Sequence, residues 1–269
     1  MAKTPETAYL RNPMRELLDT KPYGLGTFIT LTDPTAVELA ALAGFEFVVL
    51  ECEHGSANLE TLSNHLRAAR ARGIGAMVRV PAGDWGFVQR VLDIGADGVL
   101  VPHVSNVSAV TRAVSAVRYP PAGHRGMYPN SAQADFGAHG IASGREVLDV
   151  LNRATVLAIM IEDASAIAEI ESVVGVPGID IVVVGPSDLS ASLGVVGLAD
   201  NQELAGAIER VFNACRSAGI KFGIPVEHAA FPKSATELRE KGAWFLASGS
   251  DATFLLGGWR SLVKRLRGA

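Results

Sequence analysis

The sequence predicts a (β/α)₈ TIM barrel, and two observations support that prediction. Eight short runs rich in Val, Ile and Leu alternate with segments whose apolar residues recur at helical spacing. The runs are continuously apolar, which is typical of parallel strands that are buried on both faces. Eight strand–helix pairs within 269 residues suit this barrel. The alternative, a doubly wound open sheet, usually needs fewer strands.

The predicted elements follow one another along the chain without a break. Strands are predicted at residues 24–30, 45–51, 75–80, 98–103, 155–162, 180–186, 221–226 and 244–250. Segments with helical spacing lie between or after them, for example at residues 35–44, 59–73, 88–96, 107–118, 201–219 and 253–268. Several of these helices end in a glycine that suits a C-cap, namely Gly44, Gly73, Gly95 and Gly219.

One long irregular segment, residues 119–144, separates the fourth strand and its helix from the fifth strand. It contains Pro120, Pro121 and Pro129, and nothing else in the chain has the composition of a linker. We therefore expect a single domain over residues 1–269, with the segment forming a loop over the catalytic face.

Composition excludes several classes of function. The chain carries 24 Lys and Arg against 28 Asp and Glu, a net charge of −4. It therefore lacks the excess positive charge that is typical of nucleic-acid-binding proteins. No apolar stretch approaches the length of a transmembrane helix, and the first residues lack the apolar core of a signal peptide. The two cysteines, Cys52 and Cys215, lie far apart and in no metal-binding spacing. We expect a cytoplasmic protein with no membrane partner.

Polar residues stand where seven of the eight predicted strands end. In a (β/α)₈ barrel these carboxyl ends surround the active site. A single acid at a strand end is explained by its reaching water, but seven such ends favour a common site. The residues are Glu51 and His54, Arg79, His103, Glu162 and Asp163, Asp188, Glu227 and His228, and Asp251.

Glu162 and Asp188 are the strongest candidates for a metal site. They follow consecutive strands, whose axes lie roughly 5 Å apart when paired. Two carboxylates at that distance repel each other unless they share a proton or a cation. Mg²⁺ or Mn²⁺ accepts two carboxylates and leaves positions for water and substrate. The alternatives are a surface acid pair, or Asp188 acting only as a helix cap.

Three further features suggest an anionic substrate. Gly185, Pro186 and Ser187 open a helix whose free amide groups suit a substrate carboxylate. Arg79 ends an otherwise apolar strand, where an arginine is costly unless it meets an anion. It suits either a developing oxyanion or a salt bridge to Glu51. His54 is a candidate to transfer protons, because a histidine side chain can both accept and donate a proton.

These residues lie within sequence blocks that resemble a known family. The chain resembles the class II, metal-dependent 2-oxo acid aldolases of the HpcH/HpaI type, within the phosphoenolpyruvate/pyruvate barrel superfamily. The blocks run in order along nearly the whole predicted barrel: AGFEFVVLECEH (43–54), MVRVP (77–81), VLDIGADGVLVP (91–102), RYPPAGHRG (118–126), IMIE (159–162) and VVVGPSDLSASLG (182–194).

The resemblance implies a pyruvate enolate mechanism in which a 4-hydroxy-2-oxo acid is reversibly cleaved to pyruvate and an aldehyde. By match, Glu162 and Asp188 hold Mg²⁺ or Mn²⁺, with Co²⁺ or Zn²⁺ as alternatives. The Gly185–Ser187 backbone seats the pyruvate carboxylate, and Arg79 stabilises the keto and enolate oxygen. His54 relays the proton of the pyruvate methyl group.

The resemblance also implies an assembly. Asp93 matches an acid that orients this histidine, from the same or a neighbouring subunit. Family members are commonly hexamers built from dimers that exchange the last helix, which suits TFLLGGWRSLVKRL (253–266).

Two departures from the family pattern bear on the substrate. Glu51 stands where the family usually has Asp, and Met160 stands where most relatives have Gln. Met cannot donate the hydrogen bond that Gln would make to substrate or water. His103 and Tyr128 are candidates to replace that hydrogen bond.

Three other functions stay open. One is an oxaloacetate decarboxylase, or another enolate-forming lyase, that uses the same site. A second is a phosphosugar isomerase with ASGSD (247–251) as a phosphate cradle. The third is a non-catalytic barrel that binds metal and keto acid.

Overall fold

The barrel is closed by eight parallel strands that neighbour one another in chain order, which confirms the predicted fold. The computed structural model describes residues 11–138, 145–198 and 201–268. The strands are β1 Gly24–Ile29, β2 Phe47–Glu51, β3 Gly75–Arg79, β4 Gly98–Val101, β5 Val156–Ile161, β6 Ile181–Val184, β7 Lys221–Pro225 and β8 Phe245–Ser250.

Helices precede, separate and follow the strands. They are α1 Pro13–Thr20, α2 Thr35–Ala43, α3 Leu59–Arg72, α4 Trp85–Asp93, α5 Val107–Val117, α6 Arg145–Ala154, α7 Ala164–Ala168, α8 Ile170–Val174, α9 Pro186–Ser192, α10 Gln202–Ala218, α11 Ala235–Lys241 and α12 Asp251–Leu266. A short 3₁₀ helix lies at Ala132–Gly137. None of the helices in the described part of the chain is long and apolar enough to cross a membrane.

The apolar strands are buried on both faces, as their composition predicts. Along β2, Phe47 and Val49 point into the barrel, whereas Val48 and Leu50 pack against the surrounding helices. Where the interior narrows, glycine takes the place of a side chain. A Cβ on Gly26 would lie 2.2 Å from the Phe47 ring. The interior is thus a packed core rather than a pore.

The amino-terminal end of the barrel is closed by α1. Its Met14 is fully buried and lies so close to Gly75 that a Cβ there would be 3.2 Å from the Met14 Cα. The Trp244 indole Nε1 donates a hydrogen bond to the Lys21 carbonyl at 3.0 Å. With this end sealed, the opposite end is the open mouth.

The expectation that residues 119–144 cover the catalytic face is wrong for the described part of that segment. Helix α5 runs antiparallel to β4 and delivers the chain to the amino-terminal end of the barrel. There Arg118 donates to the Thr155 carbonyl at 2.6 Å and to Asp180 at 2.9 Å, just before β5 and β6. Residues 119–138 pack at this end, beside Gly95. Residues 139–144 lie outside the described part.

Helix α12 lies on the outside of the barrel with its apolar side chains exposed. It contributes no buried residue, and Trp259 is 63% exposed. The other exposed apolar side chains of this helix are Phe254, Leu255, Leu256, Leu262, Val263 and Leu266.

Candidate active site

A cleft of about 810 Å³ opens at the carboxyl ends of the strands. Its walls bring together nearly all the residues that the sequence singled out for chemistry. They are Glu51, His54, Arg79, Met160, Glu162, Gly185, Pro186, Ser187 and Asp188, with Phe28, Thr30, Gly55, Ser56, Pro225, His228, Ala247, Gly249 and Ser250 completing the lining.

Glu51 organises the turn that carries His54. Its Oε1 accepts hydrogen bonds from the backbone N–H groups of Glu53 and His54, both at 2.8 Å. Gly55 is required in the same turn, because a Cβ there would lie 2.3 Å from the Glu51 carbonyl oxygen. The longer glutamate therefore caps its own loop and fixes the backbone of His54.

Arg79 lies beside Glu51 because β2 and β3 pair these two residues in register. Its Nε lies 2.5 Å from Glu51 Oε2 and 3.4 Å from Glu53 Oε2. Within the described part of the chain Arg79 makes side-chain hydrogen bonds through Nε alone. Its two terminal amino groups are left for an anion in the cleft, so the salt bridge and the substrate role are compatible.

Glu162 follows β5 as an almost completely buried carboxylate, with a side chain 1% exposed. Its Oε1 accepts a 2.7 Å hydrogen bond from the His103 backbone N–H. Burial raises the pKa of the Glu162 carboxyl, the His103 amide and ring oppose that change, and the charges of Glu53 and Asp188 raise the pKa further. Keeping the Glu162 carboxyl ionised therefore costs free energy, and a cation bound nearby would offset that free energy.

Gly185 lets the segment that carries Asp188 approach Glu162. A Cβ on Gly185 would lie 2.5 Å from Glu162 Oε2 and 3.2 Å from the Met160 Cε. Asp188 lies three residues further on, in the first turn of α9, and lines the same cleft. Glu162 and Asp188 thus line one cleft, close enough for the charge of Asp188 to raise the pKa of the Glu162 carboxyl.

The donor set fits a hard divalent ion. It consists of carboxylate oxygens, which Mg²⁺ and Mn²⁺ prefer. Among the described residues no group of three or more His, Cys, Asp and Glu side chains is arranged to hold a metal by itself. A site with two protein carboxylates leaves the remaining positions to water and substrate, as a substrate-binding ion requires.

The ring of His103 lies between the carboxylates of Glu53 and Glu162. Its Nε2 lies 3.2 Å from Glu53 Oε1, and its Nδ1 lies 3.4 Å from Glu162 Oε1. The backbone of His103 is left-handed, with φ of 52°, and its N–H points at Glu162 in this conformation. His103 therefore contacts two carboxylates and is not among the residues that line the cleft, so it does not replace a glutamine at position 160.

Some sequence candidates lie elsewhere. In the isolated chain Asp93 binds Arg125 at 2.6 Å and lines a separate surface pocket together with Tyr128. Within one chain, Tyr128 therefore does not supply the hydrogen bond that Met160 is unable to donate. Asp163 caps α7 through the Ser165 N–H at 2.8 Å.

Asp251 at the end of β8 has a structural role. It accepts hydrogen bonds from the Thr30 and Leu31 amides, at 2.9 and 3.0 Å. It therefore ties the β1 loop to α12.

Sequence reasoning missed a role for Glu53 and the pairing of His228 with Ser187. Glu53 lies in the block ECEH but carried no assigned role, although it contacts Arg79 and His103. His228 follows β7, and its Nε2 lies 3.0 Å from Ser187 Oγ. The only sequence signal for Glu53 and His228 was that polar residues follow each strand. The residues that they contact come from different loops, so these contacts could not be inferred from the sequence.

A closed parallel barrel with two carboxylates, an arginine and a histidine at its mouth defines a class: TIM-barrel proteins with a cleft suited to a divalent ion and an organic acid. The model of the HpcH/HpaI aldolase/citrate lyase family matches residues 25–257. The chain belongs to this family.

Two relatives that align over nearly the whole chain are aldolases, which are carbon–carbon lyases. The 5-keto-4-deoxy-D-glucarate aldolase of Klebsiella pneumoniae subsp. pneumoniae is 32% identical over 98% of this chain and 98% of its own. The hydroxypyruvate/pyruvate aldolase of Pseudomonas aeruginosa is 33% identical over 96% of this chain and 93% of its own. A crystal structure of an HpcH/HpaI aldolase/citrate lyase family protein from Burkholderia cenocepacia J2315 superposes with a TM-score of 0.86. It has 29% identity, over 96% of this chain and all of that one.

Proposed function

We propose that this protein is a metal-dependent aldolase that reversibly cleaves a 4-hydroxy-2-oxo acid to pyruvate and an aldehyde. The observation that carries the proposal is that Glu162 and Asp188 line one cleft, where Gly185 lets the segment carrying Asp188 approach Glu162. The aldolase relatives, similar over almost the whole chain, support the reaction class.

Glu162 and Asp188 are proposed to hold the divalent ion, with Mg²⁺ or Mn²⁺ favoured by the all-oxygen donor set. When bound, such an ion withdraws electrons from the keto group of the substrate and acidifies the adjacent carbon. The buried state of Glu162 and its raised pKa support this assignment, because a nearby cation stabilises the ionised form.

The other residues bind and orient the keto acid. The backbone amides of Ser187 and Asp188 donate no hydrogen bond within the described part of the chain, and we assign the substrate carboxylate to the Gly185–Ser187 turn. Arg79 stabilises the oxygen that gains charge as the enolate forms, through the amino groups that Glu51 leaves free.

His54 is assigned the proton of the pyruvate methyl group. Its backbone is fixed by Glu51, while its side chain is 66% exposed toward the cleft. A histidine changes charge near neutral pH and can both accept and return a proton. In the cleavage direction it protonates the enolate carbon after the carbon–carbon bond has broken.

The walls beyond the carboxylates receive the aldehyde. Phe28, Pro225 and Ala247 contribute apolar surface to the cleft, and Thr30 and Ser56 contribute hydroxyl groups. Met160 adds apolar surface next to Gly185 and Glu162. These residues support an aldehyde with little charge.

A screen for pyruvate release tests the proposed function. Purified full-length protein is incubated with a series of 4-hydroxy-2-oxo acids, with and without a chelator, and pyruvate is measured with a coupled dehydrogenase. We expect release that stops on chelation, returns with Mg²⁺ or Mn²⁺, and is absent in Glu162→Gln and Asp188→Asn. Full release under exhaustive chelation would contradict the metal dependence of the proposed reaction.

We further propose a hexamer built from dimers that exchange α12, in a reducing cytoplasm. The apolar side chains exposed along α12 support the exchange, because burial of that face needs a second chain. Cys52 and Cys215 are buried and free, and burial raises the pKa of both thiols to about 12. Such unreactive, unpaired cysteines suit a reducing compartment.

A further inference from the structure

The loop after β7 brings a histidine to the segment assigned to the substrate carboxylate. His228 is half-buried, and its Nε2 lies 3.0 Å from the hydroxyl oxygen of Ser187. Both residues line the cleft that holds Glu162 and Asp188.

The hydrogen bonds of the ring fix its tautomer. The Ala230 backbone N–H donates to His228 Nδ1 at 3.2 Å, so Nδ1 carries no proton and Nε2 carries one. Nε2 therefore donates to the Ser187 oxygen, and the Ser187 hydroxyl proton is free to turn into the cleft. Burial lowers the pKa of His228, which is consistent with the neutral ring.

The loop is built to hold this histidine in place. Glu227 has a left-handed backbone, with φ of 52°, a conformation that a non-glycine residue adopts only when its surroundings enforce it. The loop is closed by hydrogen bonds from the Glu227 N–H to the Lys233 carbonyl at 2.9 Å and from the Phe231 N–H to the His228 carbonyl at 2.8 Å. His228 thus approaches Ser187 from a rigid support.

We propose that His228 is a positioning residue for the keto acid: it orients the Ser187 hydroxyl so that this group donates a hydrogen bond to the substrate carboxylate. The inference rests on the proposed function, since it needs a keto acid in the cleft. The chain of donors runs from the Ala230 amide through the imidazole to the hydroxyl, and each bond polarises the next. The Ser187 hydroxyl thereby adds a side-chain donor to the backbone amides of the turn.

The exchange of the pyruvate methyl protons with deuterium tests the inference without knowledge of the aldehyde. Full-length protein loaded with Mn²⁺ is incubated with pyruvate in D₂O, samples are quenched and freed of metal, and the loss of the methyl signal is followed by proton NMR. We expect His228→Phe to raise the half-saturating pyruvate concentration about tenfold, the effect of losing a hydrogen bond to a charged group. The maximal exchange rate should stay within about twofold, because no proton-transferring group is removed.

Two further variants separate positioning from a structural role. Ser187→Ala should reproduce the effect of His228→Phe, and the double variant should be no worse than the weaker-binding single variant, because both changes remove one unit. His228→Gln, whose amide nitrogen can replace Nε2, should stay within about twofold of the wild type. Should His228→Phe fail to fold, Ser187→Ala and His228→Gln still decide the question.

A second serine–histidine pair on the surface provides a matched control. His124 Nδ1 lies 2.9 Å from Ser115 Oγ, and both residues are outside the cleft lining. His124→Phe should leave the half-saturating pyruvate concentration unchanged.

Two different failures are distinguishable. No exchange by the metal-loaded wild type would overturn the proposed function, and this inference with it. The role of His228 alone would be overturned if the wild type exchanges normally and His228→Phe leaves the half-saturating pyruvate concentration unchanged. Additive effects of the two substitutions in the double variant would overturn it as well.

Discussion

Gly185 determines how closely the two carboxylate-bearing segments approach each other. A methyl group at this position would lie 2.5 Å from Glu162 Oε2, well inside van der Waals contact. Gly185→Ala must therefore displace Glu162 or the start of α9. We expect the affinity for Mn²⁺ to fall at least tenfold, measured by calorimetric titration, since metal sites tolerate little misplacement of a ligand.

Gly206 offers a matched control for this substitution. It lies inside α10, and a Cβ there would meet nothing within 4 Å. Gly206→Ala should raise the free energy of unfolding by about 1 kcal/mol through helix propensity and leave Mn²⁺ affinity unchanged. Wild-type affinity in Gly185→Ala would show that the close approach has no part in metal binding.

At the scale of residues, the sequence predicted which side chains meet but not how they are connected. Glu162, Asp188, Arg79 and His54 were singled out because each lies at or just after the end of a strand, and the carboxyl ends of barrel strands converge. The pairing of His228 with Ser187 could not be found in this way. It depends on the conformation of two loops, which no periodicity encodes.

The turn after β4 shows how a strained element serves the site. His103 has a φ of 52°, which directs its N–H to Glu162 at 2.7 Å. Asparagine tolerates this left-handed conformation and β-branched residues do not. We expect His103→Val to be less stable than His103→Asn by about 1–2 kcal/mol, measured by urea unfolding at one protein concentration.

Both His103 variants remove the interactions of the ring with Glu53 and Glu162, so their difference isolates the backbone strain. Equal stability of the two variants would mean that the turn relaxes at no cost and that its conformation does not hold Glu162.

At the scale of elements, the eight strands were predictable because double-sided burial leaves continuous apolar runs in the sequence. Helix α1 and the 119–138 segment were not. Each packs against the amino-terminal end of the barrel through residues distant in sequence, as Met14 does beneath Gly75. A proline-rich stretch predicts irregular backbone, but the face it covers depends on the direction of the preceding helix.

The whole molecule presents one large surface that a single chain leaves uncovered. The apolar side chains of α12 are between 40% and 75% exposed, and Trp259 is the largest of them. Trp259→Asp should place a charge in the proposed exchange interface and shift the protein to a smaller assembly in light scattering after size exclusion.

Ser261→Asp on the same helix adds an equal charge at a position that is already polar, and the mass should remain that of the wild type. An unchanged mass in Trp259→Asp, or a monomeric wild type, would contradict the exchange of α12.

The central claim is that Glu162 and Asp188 together hold one divalent ion on which the substrate chemistry depends. The most direct test is a titration of Mn²⁺ into the wild type, Glu162→Gln and Asp188→Asn, with the free ion read by electron paramagnetic resonance. We expect one site per chain in the wild type and a loss of affinity of about 100-fold or more in each variant. Binding of Mn²⁺ to either variant with wild-type affinity would contradict the claim.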